Sequence, residues 1–244
     1  AIMAWETHMK LALISDIHAN RQALDACLAH ARQQGVTHFA FLGDLVGYGA
    51  DPAAVLDQVM ALAAQGAWVI KGNHDRMFTG FLDDIHHHDE GLRSDLAWLH
   101  PRLGGSATLA SYGVKNAADR PLAPVHAEAV AAVPLAHRAF LKHRPTWLQR
   151  GDVVFVHAGI RPGIAMDRQS ETDLVWIRAG FLDDPRDHGF LVVHGHTALD
   201  HATHYGNRVD IDSSAAYGGP LTAIVLEGRN AFVLTDRGRV PLTP

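Results

Sequence analysis

Three times before residue 76, a short apolar run stops abruptly at a cluster of polar side chains. Leu11-Ala12-Leu13-Ile14 gives way to Ser15-Asp16-Ile17-His18-Ala19-Asn20, and His38-Phe39-Ala40-Phe41-Leu42 to Gly43-Asp44-Leu45-Val46-Gly47-Tyr48-Gly49. Ala67-Trp68-Val69-Ile70 runs into Lys71-Gly72-Asn73-His74-Asp75. Apolar runs this short, bounded by turn residues, read as buried strands. Between them, Arg21 to Gln34 carries Ala23, Leu24, Cys27, Leu28 and Ala31 at helical spacing and is closed by Gly35. Asp51-Pro52 opens a second helix reaching about Gln65. A β-α rhythm of this kind builds a parallel sheet, and sites form at the carboxyl edge of such sheets. The architecture explains the spacing, but the residue types delivered there are chemical. An Asp and a His two positions apart suit a first-row transition metal better than magnesium or calcium, which prefer oxygen shells.

Phe78 to His143 is less regular, with helices expected from Gly91 to Leu99 and from Pro134 to Lys142. Gly104 to Thr108 and the surroundings of Pro121 and Pro124 read as loops. His86-His87-His88-Asp89-Glu90 reads as a solvated loop, because adjacent histidines on a flexible segment seldom converge on one ion. The earlier pattern then returns. Asp152-Val153-Val154-Phe155-Val156 ends in His157-Ala158-Gly159-Ile160-Arg161, and a helix bearing Trp176 and Arg178 follows. Phe190-Leu191-Val192-Val193 ends in His194-Gly195-His196-Thr197. Arg208 to Asp212, Thr222 to Leu226 and Ala231 to Leu234 have hairpin-length connections and predict a second sheet of antiparallel character. No linker interrupts the chain, so one domain over 9–244 is expected, and the eight residues before Met9 read as an upstream extension or a cloning remnant.

Composition removes some alternatives. A formal charge of −5 offers no basic footprint for nucleic acid. No apolar run is long enough for a membrane span, and Ala1 to His8 lack the form of a signal peptide. The single Cys27 excludes an internal disulfide and sits in a helical pattern as a packing residue. A reducing, cytoplasmic setting is the expectation.

Asp16/His18, Asp44, Asn73/His74, His157 and His194/His196 thus stand at five strand ends. Together with the later G-H-T, this set of D-x-H, G-D and G-N-H-D resembles the calcineurin-like metallophosphoesterases. The stretch from Met9 to Asp75 is similar to their small bacterial phosphodiesterases. Ala107 to Gly113, Phe155 to Gly163, Asp173 to Arg178, Val192 to Thr197 and Asn207 to Leu226 resemble bacterial serine/threonine phosphoprotein phosphatases and diadenosine tetraphosphatases. The resemblance implies an α/β fold, a four-layer αββα sandwich of two mixed sheets flanked by helices, with two divalent metal ions (manganese, iron, zinc or nickel) at its edge. It implies that Asp16 and His18 hold the first ion, Asp44 bridges, and Asn73, His157 and His196 hold the second. A hydroxide between the ions would attack phosphorus in line. His74 would protonate the leaving oxygen, and Asp75 would orient His74 or merely stabilise the turn. Arg178 would grip phosphate, with Arg161 a weaker second candidate, while His194 has no firm ligand counterpart.

Two departures stand out. Gly47 and Tyr48 occupy positions where the phosphoprotein branch has Asp and Arg, so Tyr48 offers an aromatic face for a base or aryl ring instead of a cation. Ala198 stands where the phosphodiesterase branch places a last His on the first metal. The reading is therefore a phosphomonoesterase most like the protein phosphatases, acting on a phosphorylated small molecule, nucleotide or phosphoprotein. The alternatives are a nucleotide phosphodiesterase or diadenosine tetraphosphate hydrolase, and an inactive binding or regulatory module on the same fold. The last is disfavoured because every ligand position is filled by a competent residue.

Overall fold

The computed structural model describes residues 10–244; Met9 and the expected extension before it lie outside the described residues. The first strand, β1 (Leu11–Ile14), is buried along its whole length and leads to α1 (Arg21–Gln33). The Asn20 side chain caps α1 by accepting the Ala23 N–H. β2 (His38–Phe41), α2 (Pro52–Ala64), β3 (Trp68–Val69) and α3 (Asn73–Asp83) complete the β-α series. Asp51 holds the cap position of α2 but makes no side-chain cap bond, leaving Pro52 to start that helix. α4 (Gly105–Ser111), α5 (Leu122–Ala132) and α6 (Leu135–Lys142) follow. Then come β4 (Trp147–Arg150), β5 (Val153–Val156), α7 (Glu171–Trp176), β6 (Leu191–His194), β7 (Thr203–His204) and β8 (Arg208–Asp210). β9 (Ala223–Glu227), β10 (Asn230–Thr235) and β11 (Gly238–Leu242) end the chain.

Two mixed sheets result. The first runs β11-β10-β9-β1-β2-β3, with β1, β2 and β3 parallel and β9 antiparallel to β1. The second runs β4-β5-β6-β8-β7, with β5, β6 and β8 parallel. The tail strands therefore do not form the expected sheet of their own. β8 joins the second sheet, while β9 pairs with β1 of the first and β10 pairs with β9. Their alternation specified strands with one buried face, which does not choose between two apolar faces.

Side-chain alternation sorts the core into layers. Leu11 and Leu13 of β1 point inward with Ala40, Phe155, Leu191 and Val193, forming the layer between the sheets. Ala12, Ile14, Phe39 and Phe41 point the other way, under the helices α1 to α6. Val154, Val156 and Val192 face outward from the second sheet, covered by α7 and by loops carrying Ile160, Met166, Ile177 and Phe181. Phe41, Phe155 and Phe181 are essentially inaccessible to solvent, and burying a side chain of that size is worth roughly 1.5–3 kcal/mol. The sandwich is thus thick on one side and thin on the other. The carboxyl ends of β1, β2, β3, β5, β6 and β8 meet at one edge.

Candidate metal centre

Beyond β1 and β2 the chain bends sharply. Asp16, His18, Ala19 and Asp44 all have φ between 46° and 61°, and His196 has φ 68°. Left-handed backbone is uncommon for residues other than glycine, and it clusters where surrounding bonds impose it. Those bonds are visible: the N–H groups of Asp16, His18 and Ala19 donate to the carbonyls of Gly43, Asp44 and Leu45. The two strand-end loops are zipped together, bringing Asp16, His18 and Asp44 side by side.

Each carboxylate spends one oxygen on the scaffold. Asp16 Oδ2 accepts from Ser15 Oγ (2.6 Å) and the His196 N–H (3.0 Å), leaving Oδ1 buried with no partner. Asp44 Oδ1 accepts the His74 N–H at 2.9 Å, one of the unpaired donors at the start of α3. Its Oδ2 faces His18 Nε2 at 3.5 Å and His157 Nε2 at 3.4 Å. Asp44 is therefore the group common to two clusters, His18/Asp44/His74 and Asp44/His157/His196. Asn73 Oδ1 approaches His157 Nε2 (2.9 Å) and His196 Nδ1 (3.0 Å). The structure thus brings together all six candidate ligands, with Asp16 Oδ1 3.6 Å from His18 Nε2.

These donors fit a cation. His157 Nδ1 donates to the Leu42 carbonyl at 2.9 Å, so its Nε2 carries a lone pair unless the ring is doubly protonated. Burial opposes that second proton, yet the Asp44 and Asp16 carboxylates push the ring up to about 10. The centre calls for positive charge at this point, which a proton supplies in the bare chain and a divalent ion would supply in its place. His196 Nε2 is also buried without a partner. The metal-pair expectation is therefore chemically coherent with the residues present.

The surrounding residues divide differently from expectation. The Asp75 carboxylate accepts the N–H groups of Leu45 (3.0 Å), Val46 (3.2 Å) and Gly72 (3.0 Å). It therefore clamps the Asp44 loop to the start of α3, the turn-stabilising alternative, and makes no bond to the His74 ring among the described residues. Burial and the neighbouring Asp44 push Asp75 up to about 6. Burial lowers His74 to about 4, and its Nδ1 has no partner. Arg178 lies two residues past α7 rather than on the helix, where it lines the cavity and donates to the His196 carbonyl at 3.0 Å. Arg161 is instead bound to Asp173 through two bonds, at 2.8 and 2.6 Å, and is absent from the cavity wall. His194 donates through Nδ1 to the Gly195 carbonyl (2.9 Å) and accepts at Nε2 from Arg208 (3.2 Å). Both nitrogens are used, so His194 has none left for an ion.

The cavity holds about 220 Å³. Tyr48 stands over His18 and His74 with ring centroids 5.0 and 5.1 Å away, and Tyr217 continues the aromatic face at 5.7 Å. Trp176 meets His196 edge-on at 5.7 Å, its indole N–H held by Asp89 (2.8 Å), which also takes two bonds from Arg76. Asp89 is thus a wall anchor, and the histidine run before it belongs to neither candidate metal cluster among the described residues. Trp176, Tyr217, Leu103 and Asp212 line the cavity without having been anticipated as site residues. The sequence offered one signal for Asp212: it follows β8 as Asp16 follows β1.

Strands of two sheets ending in Asp, His and Asn around a cation-demanding cleft define a metallophosphoesterase. The chain belongs to the calcineurin-like phosphoesterase family, whose profile matches residues 9–226. It is a metal-dependent phosphoester hydrolase. It is 24% identical over 202 residues to an asymmetrical bis(5'-nucleosyl)-tetraphosphatase of Anoxybacillus flavithermus, covering 76% of this chain and 74% of that one. An uncharacterised protein of Methanocaldococcus jannaschii is 40% identical over 65 residues, which is 27% of this chain and 26% of that protein's length. Among solved structures, a proposed diadenosine tetraphosphatase superposes with a TM-score of 0.66 at 22% identity, covering 99% of this chain and 97% of that one. A cold-active protein tyrosine phosphatase gives 0.64 at 18% identity, covering 96% and 79%. These likenesses establish the fold. Among the described residues no helix is long and apolar enough to cross a membrane.

Proposed function

We propose that the chain is a phosphomonoesterase whose substrates carry an aryl or nucleoside group beside the scissile phosphate. The observation that carries this reading is the pairing of Arg178, the one guanidinium that lines the cavity among the described residues, with the Tyr48/Tyr217 face across a cavity of about 220 Å³. In this reading Asp16, His18 and Asp44 hold one divalent ion, and Asp44, Asn73, His157 and His196 the other. When bound, such a pair neutralises phosphate charge and supplies a nucleophile at neutral pH. The planar fork of Arg178 takes two phosphate oxygens, and its bond to the His196 carbonyl fixes its approach. His74 holds the proton for the leaving oxygen; an arriving phosphate dianion opposes the burial that otherwise keeps the ring neutral. Trp176 forms the wall beside His196.

A second reading, hydrolysis of dinucleoside polyphosphates, is supported by the similarity to the bis(5'-nucleosyl)-tetraphosphatase and by the same aromatic face, on which a base can stack. A panel with manganese separates the two: p-nitrophenyl phosphate, its bis ester, a phosphopeptide and diadenosine tetraphosphate. Monoesters should dominate, Arg178→Ala should harm them more than diesters, and Tyr48→Ala should do the reverse. Better turnover of the bis ester or the dinucleotide, with monoester hydrolysis untouched by Arg178→Ala, rejects the monoesterase reading.

A further inference from the structure

The ligand set assigned to the first ion is one residue short. Asp16, His18 and Asp44 face it, and Ala198 supplies no donor where a histidine would complete the shell. β8 stops at Asp210, so Asp212 has left the strand and lines the same cavity as Asp16, His18, Asp44 and Ala198. Its main-chain carbonyl accepts the Leu199 N–H at 3.0 Å, which sets Asp212 directly beside Ala198. The residue is only 5% exposed, and Oδ1 accepts the Ser214 N–H at 3.0 Å. Oδ2 has no hydrogen bond among the described residues. As in Asp16, one oxygen is tied to the scaffold while the other makes no hydrogen bond among the described residues, in a side chain that lines the cavity. Independently, Asp16 Oδ1, in a side chain almost wholly buried, has no hydrogen bond, with only His18 Nε2 near it at 3.6 Å. Neither oxygen is hydrogen-bonded among the described residues. Carboxylates gathered this way repel unless a cation lies among them.

We infer that Asp212 is a ligand of the first metal ion, replacing the histidine that Ala198 lacks. The inference rests on the proposed ligand set and adds to it a difference between the two ions. The first sits among three carboxylates and one imidazole. The second sits among two imidazoles, an amide oxygen and the shared Asp44. Oxygen-rich shells favour manganese and magnesium, while imidazole-rich shells favour zinc, nickel and iron. The centre is therefore built for two unlike ions, with the harder one next to Asp212.

The test is calorimetric titration of the ion-stripped full-length protein with manganese chloride, together with metal content after dialysis. Wild type should bind two equivalents. Asp212→Asn keeps an acceptor for the Ser214 N–H and should fold with an unchanged circular dichroism spectrum. It should bind one equivalent as wild type does and the other at least about tenfold more weakly, since losing even an indirect partner of a metal ligand costs that much. Asp212→Asn combined with Ala198→His should regain the second equivalent with zinc in preference to manganese. Asp44→Asn should weaken both equivalents. Two manganese equivalents of undiminished affinity in Asp212→Asn, with Asp44→Asn impaired, overturns the role of Asp212 and leaves the ligand set standing. Undiminished binding in Asp44→Asn as well, or no uptake by wild type, overturns both.

Discussion

Replacing Asp75 by asparagine tests whether this residue serves the chemistry or the scaffold. The buried carboxylate receives three main-chain N–H groups: Leu45 and Val46 on Oδ1, and Gly72 on Oδ2. An amide of the same shape can keep its oxygen toward Leu45 and Val46, but its NH₂ group then faces the Gly72 N–H, donor against donor. The loss comprises one bond to a charged acceptor, about 1.5–3 kcal/mol, and a buried donor left unpaired, about 1–3 kcal/mol, the two overlapping in part. A total of about 2–4 kcal/mol is expected from these two contributions. For a chain of this length, 1 kcal/mol moves the melting temperature by about 2–4 °C, so Asp75→Asn should lower it by roughly 4–16 °C. Differential scanning calorimetry of the ion-stripped protein measures this without interference from bound metal. Activity should fall as well, through a loosened Asp44 loop and weaker metal binding, and excess manganese should restore part of it. A variant melting within about a degree of wild type, whose rate loss instead follows a shifted pH profile and resists manganese, would show that Asp75 acts on His74 and not on the loop.

Two further substitutions probe the centre. His74→Ala should retain both metal equivalents in titration while losing roughly 10²–10⁴-fold in rate on an alkyl phosphate, and much less on p-nitrophenyl phosphate, whose leaving group needs little protonation; equal losses on both substrates, or a lost metal equivalent, remove its proton-donor role. Gly195→Ala would place a methyl group on Asp16 Oδ2 and Ser15 Oγ, so it should displace Asp16 and cost at least about tenfold in manganese affinity, measured by the same titration, whereas unaltered affinity would mean that the Asp16 anchorage is not needed.

The six candidate ligands were legible because each follows a strand, and a strand end fixes where its next residues lie. Asp212 was not, because the alternation through Arg208-Val209-Asp210-Ile211-Asp212 hides the point where pairing stops, at Asp210. Arg161, the weaker phosphate candidate, follows β5 closely, but the loop after that strand carries it off to Asp173. Gly91 to Leu99 has helical spacing but forms turns, since Asp89 draws the Gly91 N–H onto its side chain and Arg93 pairs with Asp95. The converse error concerns α5, which starts after Pro121 and contains Pro124 in its first turn, where a missing N–H does no harm. Prolines that read as a loop there mark a helix start. α4 was hidden in the same way by Gly104, whose φ of 72° makes the turn into it.

The uneven cover of the two sheets has a bearing on how the cleft opens. Asp16, Asp44 and Asn73 rise from the sheet that lies beneath six helices, and Trp176 packs against that same helical layer, whereas Arg178 belongs to the loop after α7 that covers the second sheet. Regions with little packed apolar surface open at lower free energy than the rest of a protein. Local fluctuation is thus concentrated in the loop that carries Arg178 and spared from the ends of β1, β2 and β3 that carry Asp16, Asp44 and Asn73. A phosphorylated molecule can enter or leave by displacement of that one loop, while Asp16 and Asp44 keep their spacing.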